Sequence, residues 1–101
     1  MAQRLDLHEA LKEILGSEHV YFQPPPTVSM VYPCIVYRRD YQKTEYADDS
    51  PYFRKKRYQV TVIDKDPDSI IPDKVSELPL CAYDRFYTAD NLNHDVFKVF
   101  F

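Results

Sequence analysis

The feature that most constrains the fold is an alternating stretch in the middle of the chain, from Arg57 to Asp64. In an extended strand, alternate side chains point to opposite faces of the sheet. One face would then carry Tyr58, Val60 and Val62, and the other Arg57, Gln59 and Thr61. β-Branched and aromatic residues favour strands, and the polar run 64–68, which contains Pro67, ends the pattern. We therefore predict that this stretch is the central strand of a sheet.

Length and composition limit the size of the fold and the kind of turns it uses. A chain of 101 residues with 45% apolar side chains is expected to form one globular domain, residues 1–101. It has one glycine and eight prolines, so few residues adopt positive φ without strain. We therefore expect hairpins with longer loops rather than tight primed turns.

Two segments have helical periodicity. The first has apolar residues at helical spacing, Leu7, Leu11, Ile14 and Leu15. Asp6 is its N-cap or an acid of its first turn, and Gly16 is the residue after its C-terminus. This segment predicts a helix of about ten residues. The second helix is predicted over 70–78, capped by Ser69, with Pro72 in its first turn and Pro79 at its end.

The remaining apolar runs predict strands at 33–39, 57–64, 80–87 and 95–101, with a polar loop from Thr88 to His94. Residues 20–22 form a short extended apolar segment that ends before three prolines. The order α-β-β-α-β-β predicts an α+β two-layer sandwich, in which two helices pack on one face of a four-stranded antiparallel sheet. The opposite face is expected to carry tyrosine and charged side chains, a composition typical of protein–protein surfaces.

A hairpin arm of residues 40–55 (the arm) is predicted between the first strand and the central one. Its acidic residues Glu45, Asp48 and Asp49 are followed at once by the basic run 54–57. Opposite charges so placed suit contacts between copies of the chain. With Tyr52, Phe53 and Tyr58 nearby, the basic run could instead contact nucleic acid. It could also be simply the solvent-exposed start of the central strand. The residues predicted to contact subunits or partners are Glu45, Asp48, Asp49, Tyr52, Arg54, Lys55, Lys56, Arg57, Asp90, Asn91, Asn93 and Phe101.

No pattern in the sequence indicates an enzyme, a metal site or a cofactor. Alternating acids at 64, 66 and 68 resemble the start of a calcium loop, but Ser69 replaces the required glycine and Val75 the bidentate glutamate. The three histidines are scattered. Cys34 and Cys81 are isolated and are expected to be small buried apolar residues. The N-terminus lacks a signal-peptide pattern and no apolar run could span a membrane, so we expect a cytosolic protein without membrane contact.

Three runs resemble the tail-terminator (tail-completion, head–tail joining) proteins of long-tailed bacteriophages. They are Tyr58 to Ser69, Leu78-Pro79 and Tyr87 to Asp95, and the similarity extends over nearly the whole chain. The resemblance implies a two-layer α/β fold that assembles as a hexameric ring, caps the tail tube, stops its polymerisation and joins the tail to the head.

The same resemblance implies a set of partners and a location. The partners would be further copies of the chain, the tail tube protein and the head-completion (stopper) protein. Genome DNA would pass through the lumen without specific binding. The location would be the virion neck, assembled in the host cytoplasm. Two alternatives stay open: another neck or tube component of the virion, and a small nucleic-acid-binding module that uses residues 54–57.

Overall fold

The computed structural model describes the backbone of residues 3–25, 29–47 and 50–101, and the side chains of 4–25, 29–40 and 56–101. The chain forms two helices and five strands. In order, these are α1 (Gln3–Leu15), β1 (Val20–Phe22), β2 (Cys34–Ala47), β3 (Ser50–Asp64), α2 (Ile71–Ser76), β4 (Cys81–Ala89) and β5 (Leu92–Phe100). The fold is α+β, as predicted.

The five strands form one mixed sheet in the order β1-β2-β3-β5-β4. The prediction that residues 57–64 form the central strand is confirmed, because β3 lies in the middle. The predicted four-stranded antiparallel sheet and its element order are wrong: β1 adds a fifth strand that pairs parallel to β2, with Val20 opposite Ile35. Three residues are too few to show an alternating pattern, and the long connection 23–33 leaves room for the return that a parallel pair needs.

Both helices pack against one face of the sheet. Leu11 of α1 and Val75 of α2 are fully buried and belong to the same apolar cluster as the strand residues beneath them. Aromatic rings fill its centre, where the rings of Tyr37 and Tyr58 lie 6.0 Å apart. The buried members of the cluster are Leu7, Leu11, Val20, Ile35, Tyr37, Tyr58, Val60, Val62, Val75, Phe97 and Val99.

The helix ends follow local chemistry, although the predicted lengths were inaccurate. Gly16 has φ +79° and its N–H donates to the Lys12 carbonyl at 2.8 Å, so the predicted glycine after the C-terminus is confirmed. The second helix is shorter than predicted and has Ile70 as its N-cap. The Ser69 hydroxyl accepts from the backbone N–H of Ile71 at 3.3 Å. It therefore stabilises the start of α2 from one residue farther out.

The β4–β5 hairpin closes with a two-residue turn, Asp90-Asn91. These residues have φ of 54° and 63°, and Ala89 pairs directly with Leu92. The predicted polar loop from Thr88 to His94 and the expectation of longer hairpin loops are wrong here. Aspartate and asparagine tolerate the left-handed region better than other non-glycine residues, so a tight turn needs no glycine.

The arm is the outer part of a long ribbon made by β2 and β3. The two strands stay paired from Cys34–Ile63 at the inner end to Ala47–Ser50 at the outer end, with a register shift between Arg39 and Tyr41. The molecule is accordingly elongated, with principal extents of 51 × 24 × 23 Å.

Candidate protein interaction site

A groove of about 350 Å³ lies at the base of the arm, on the face of the sheet that carries the helices. Its described lining includes three cationic side chains from three separate elements and no acidic one. We call it the basic groove, and its described lining is Arg4, Phe22, Gln23, Arg39, Lys56 and Tyr58. A groove with this charge can hold an anionic group such as a carboxylate or a phosphate.

Helix α1 brings Arg4 to the groove from its first turn. The guanidinium lies 4.4 Å from the centre of the Phe22 ring and donates to the Tyr37 hydroxyl at 3.3 Å. That hydroxyl also lies 2.7 Å from Nδ1 of His8. Burial, followed by the charges of Lys12 and Arg4, lowers the pKa of His8, so its ring is neutral at pH 7. The positive charge at this end of α1 therefore comes from Arg4 rather than from His8.

The other two cations are held through their backbones. The Arg39 N–H donates to Oε1 of Gln23 at 3.4 Å, and the Lys56 carbonyl accepts from the N–H of Phe101 at 3.0 Å. The Phe101 side chain itself is partly buried against the core. Among the described residues, neither Arg39 nor Lys56 has an acidic ion-pair partner. Their charges are thus available to a ligand.

The opposite face of the sheet carries a cluster in which charges are paired. Asp40 accepts from Nε of Arg57 at 3.0 Å and from Nζ of Lys98 at 2.6 Å. Gln59 accepts from Lys98 at 3.0 Å and from Arg38 at 3.4 Å. Desolvation acts to raise the pKa of Asp40, but the hydrogen bonds and charges of Lys98 and Arg57 together hold that pKa below its ordinary value.

Strand geometry divides the predicted basic run between these two faces. Neighbouring residues of β3 point to opposite sides, so Lys56 faces the basic groove while Arg57 pairs with Asp40. The side chains of Glu45, Asp48, Asp49, Tyr52, Arg54 and Lys55 lie outside the described residues. For four of them the backbone positions are known: Glu45 lies on β2, and Tyr52, Arg54 and Lys55 lie on β3.

The predicted contact residues near position 90 lie at the other end of the sheet. Asn93 pairs with Asp64, whereas Arg57, at the base of the arm, pairs with Phe100. The Asn93 amide donates to the carbonyls of Asp64 and Lys65 at 3.2 and 3.3 Å, which fixes the connection after β3. Asp90, Asn91 and Asn93 therefore form no common site with the basic run.

Sequence reasoning missed an exposed apolar surface on edge strand β4. Tyr83 and Phe86 are 54% and 51% exposed, and Leu80 just before the strand is also exposed. Tyr87, 40% exposed, follows Phe86 directly and lies on the opposite face, where its ring stacks on His94. A register shift between Tyr83 and Arg85 interrupts the pairing with β5, as bulges commonly do at sheet edges. In the sequence, aromatic residues of an edge strand look the same as those of a strand in the core. Only the sheet order shows that β4 lies at the edge with these side chains exposed. Exposed apolar side chains grouped in this way are typical of interaction surfaces.

Within the ranges that the structure describes, no group of three or more potential ligands is placed to hold a metal ion. Neither described helix combines the length and the hydropathy that crossing a membrane requires. No protein-family model and no curated protein matches this chain.

Proposed function

We propose that this chain is a structural virion protein that forms a ring at the head–tail interface. The ring caps the tail tube, stops its polymerisation and joins the tail to the head. One observation supports this function most. A long two-stranded arm, whose sequence is acidic near its outer end, extends from the sheet beside the basic groove. Two cations of that groove, Arg39 and Lys56, have no acidic partner among the described residues. A ring needs two different complementary surfaces on each subunit, and the arm and the groove offer such a pair.

The exposed side chains of β4 support a further contact with a neighbouring virion protein. Tyr83 and Phe86 are large, half-exposed and adjacent to the free edge of the sheet. Tyrosine and phenylalanine are enriched where proteins bind one another. In the proposed assembly, this surface contacts the tail tube protein or the head-completion protein. DNA passes through the lumen without specific binding, consistent with a formal net charge of −3.

The basic groove also supports a second candidate, a nucleic-acid-binding module. Lys56 belongs to the predicted basic run, and the structure adds Arg4 and Arg39 beside the rings of Phe22 and Tyr58. Cations next to aromatic rings suit single-stranded nucleic acid. This function requires binding to an oligonucleotide that weakens steeply with salt and is lost in Lys56→Glu.

The test of the ring is the oligomeric state with and without tail tubes. Sedimentation velocity of the purified protein, followed by negative-stain electron microscopy after mixing with tail tubes, should show closed rings or density at tube ends. A protein that stays monomeric and never binds tube ends would refute the proposal. Labelling the protein within intact particles separates a terminator from another neck or tube component.

A further inference from the structure

We infer that the basic groove of one subunit binds the acidic segment of the arm, residues 45–49, from a second copy of the chain. This inference rests on the self-assembly proposed above and names the two surfaces that would carry it. The groove, rather than the whole basic run 54–57, is the acceptor, because Arg57 is already paired with Asp40 on the opposite face.

The charges of the two surfaces match. The groove carries Arg4, Arg39 and Lys56. The arm segment carries three acids, Glu45, Asp48 and Asp49. Arginine and lysine bind carboxylates through charge-assisted hydrogen bonds. The segment therefore has one carboxylate for each cation of the groove.

The position of Arg4 strengthens the preference for an anion. A cation in the first turn of a helix lies near the positive end of the helix dipole, where it is unfavourable. Its partners in the described structure, the Tyr37 hydroxyl and the Phe22 ring, are uncharged. A carboxylate bound beside Arg4 would relieve this repulsion and be attracted by the helix end as well.

The length of the ribbon makes the contact intermolecular. Arg39 pairs with Tyr58 at the base of the arm, whereas Ala47 pairs with Ser50 at its outer end. Eight residues of strand separate these two levels, roughly 26 Å at the usual rise. While β2 and β3 remain paired, the segment of one subunit cannot reach its own groove. Because donor and acceptor surfaces differ, a head-to-tail contact closes into a ring or extends as a filament, whereas a reciprocal exchange of arms would stop at a two-fold dimer. The proposed ring uses the head-to-tail arrangement.

A charge-swap experiment tests the inference. The first variant, Arg39→Glu with Lys56→Glu, gives one chain an acidic groove and an acidic arm. The second, Asp48→Lys with Asp49→Lys, gives a basic groove and a basic arm. Each variant alone should associate at least roughly a hundredfold more weakly than wild type, because like charges then face each other. An equimolar mixture should assemble again, because each groove meets an arm of opposite charge in the other variant.

Sedimentation velocity at several protein concentrations measures these outcomes, and circular dichroism of each variant establishes that it is folded. The double variant Lys65→Glu with Lys74→Glu makes the same change in net charge as the groove variant, but at exposed sites away from the groove, and should assemble like wild type.

Normal assembly of either groove or arm variant alone, or failure of the mixture to assemble, would overturn the inference while leaving the proposed function intact. A wild-type chain that never assembles, with or without tail tubes, refutes the proposed function itself. Oligonucleotide binding that is lost in the groove variant, with assembly unchanged, would assign the groove to nucleic acid.

Discussion

At the scale of single residues, Asp40 illustrates how the base of the arm is stabilised on the face opposite the helices. Its side chain is only 12% exposed and accepts hydrogen bonds from Arg57 of β3 and Lys98 of β5. One carboxylate of β2 thus contacts a cation on β3 and another on β5, at the level where the arm begins. Removing it would take a charged acceptor from both of these partly buried cations.

We predict that Asp40→Asn lowers the free energy of unfolding at pH 7 by about 1–3 kcal/mol, the usual loss when a partly buried charged partner is removed. The pKa of Asp40 is lower in the folded than in the unfolded state. Its contribution is therefore present above about pH 4, the ordinary aspartate pKa, and is lost as the pH falls through the folded-state value. Urea unfolding of both proteins between pH 2.5 and 7 should show the difference in the free energy of unfolding shrinking in acid.

The control is Asp84→Asn, which removes only an exposed pairing with adjacent Arg85 and should change the free energy of unfolding by less than ~1 kcal/mol. A difference for Asp40→Asn that is constant with pH would contradict the prediction.

Cys34 is a buried thiol, as the sequence predicted, whereas Cys81 is only partly buried. Desolvation, assisted by the negative charge of Asp64, raises the pKa of Cys34 to about 11, so at pH 8 it is protonated as well as inaccessible. In a Cys81→Ser background, we expect a disulfide reagent to label Cys34 only when urea unfolds the protein. The reagent's absorbance at increasing urea concentration measures this, with fully unfolded protein as the reference. Rapid labelling in native buffer would show that this end of the sheet opens easily.

At the scale of elements, the β4–β5 hairpin depends on two consecutive residues with positive φ. Asn91→Val should lower the free energy of unfolding by roughly 1–2 kcal/mol, because a β-branched residue is strained in the left-handed region. Asn91→Gly removes the same side chain and keeps the conformation accessible, so it should lie within ~0.5 kcal/mol of wild type. Thermal and urea unfolding of the pair measure this. Equal destabilisation by both variants would mean that the asparagine side chain, rather than the turn conformation, is what matters.

At the scale of the whole molecule, the arm and the core are separate parts of the structure. Strand β3 pairs with β5 only from Arg57 to Asp64, so beyond this level the described backbone of the arm consists of β2 paired with β3. The arm is thus expected to serve assembly rather than folding.

We predict that replacing residues 43–55 by Asn-Gly, which joins the paired residues Gln42 and Lys56, leaves a folded domain. Its free energy of unfolding should stay within ~1 kcal/mol of wild type, since the whole β3–β5 pairing from Arg57 to Asp64 is kept. Leu11→Ala, which leaves a cavity under α1, should cost about 2–5 kcal/mol by comparison. The shortened chain should remain monomeric in sedimentation experiments under conditions where wild type assembles. A shortened chain that fails to fold would show that the arm belongs to the core.

Particular elements show which predictions local patterns can support. The alternation around Val60 predicted β3, and the spacing of Leu7 and Leu11 before Gly16 predicted α1, because each signal is contained within one element. The prediction left β1 out of the sheet, because three residues are too short for a strand pattern and only their pairing with β2 makes them a strand. The Asp90-Asn91 turn differs from the prediction because aspartate and asparagine adopt positive φ, which a scarcity of glycine does not exclude.

For the candidate site too, some features could be predicted from the sequence and others could not. The acidic and basic runs of the arm are properties of the sequence, and the alternation of a strand already implied that Lys56 and Arg57 face opposite sides. That Arg4 of α1 joins Arg39 and Lys56 in one groove was decided by the packing of a helix against two strands, across more than thirty residues of chain. Local periodicity depends on neighbours in sequence, so the sequence determined the elements and their charges. Which charges meet depends on long-range packing, and only the tertiary structure decided it.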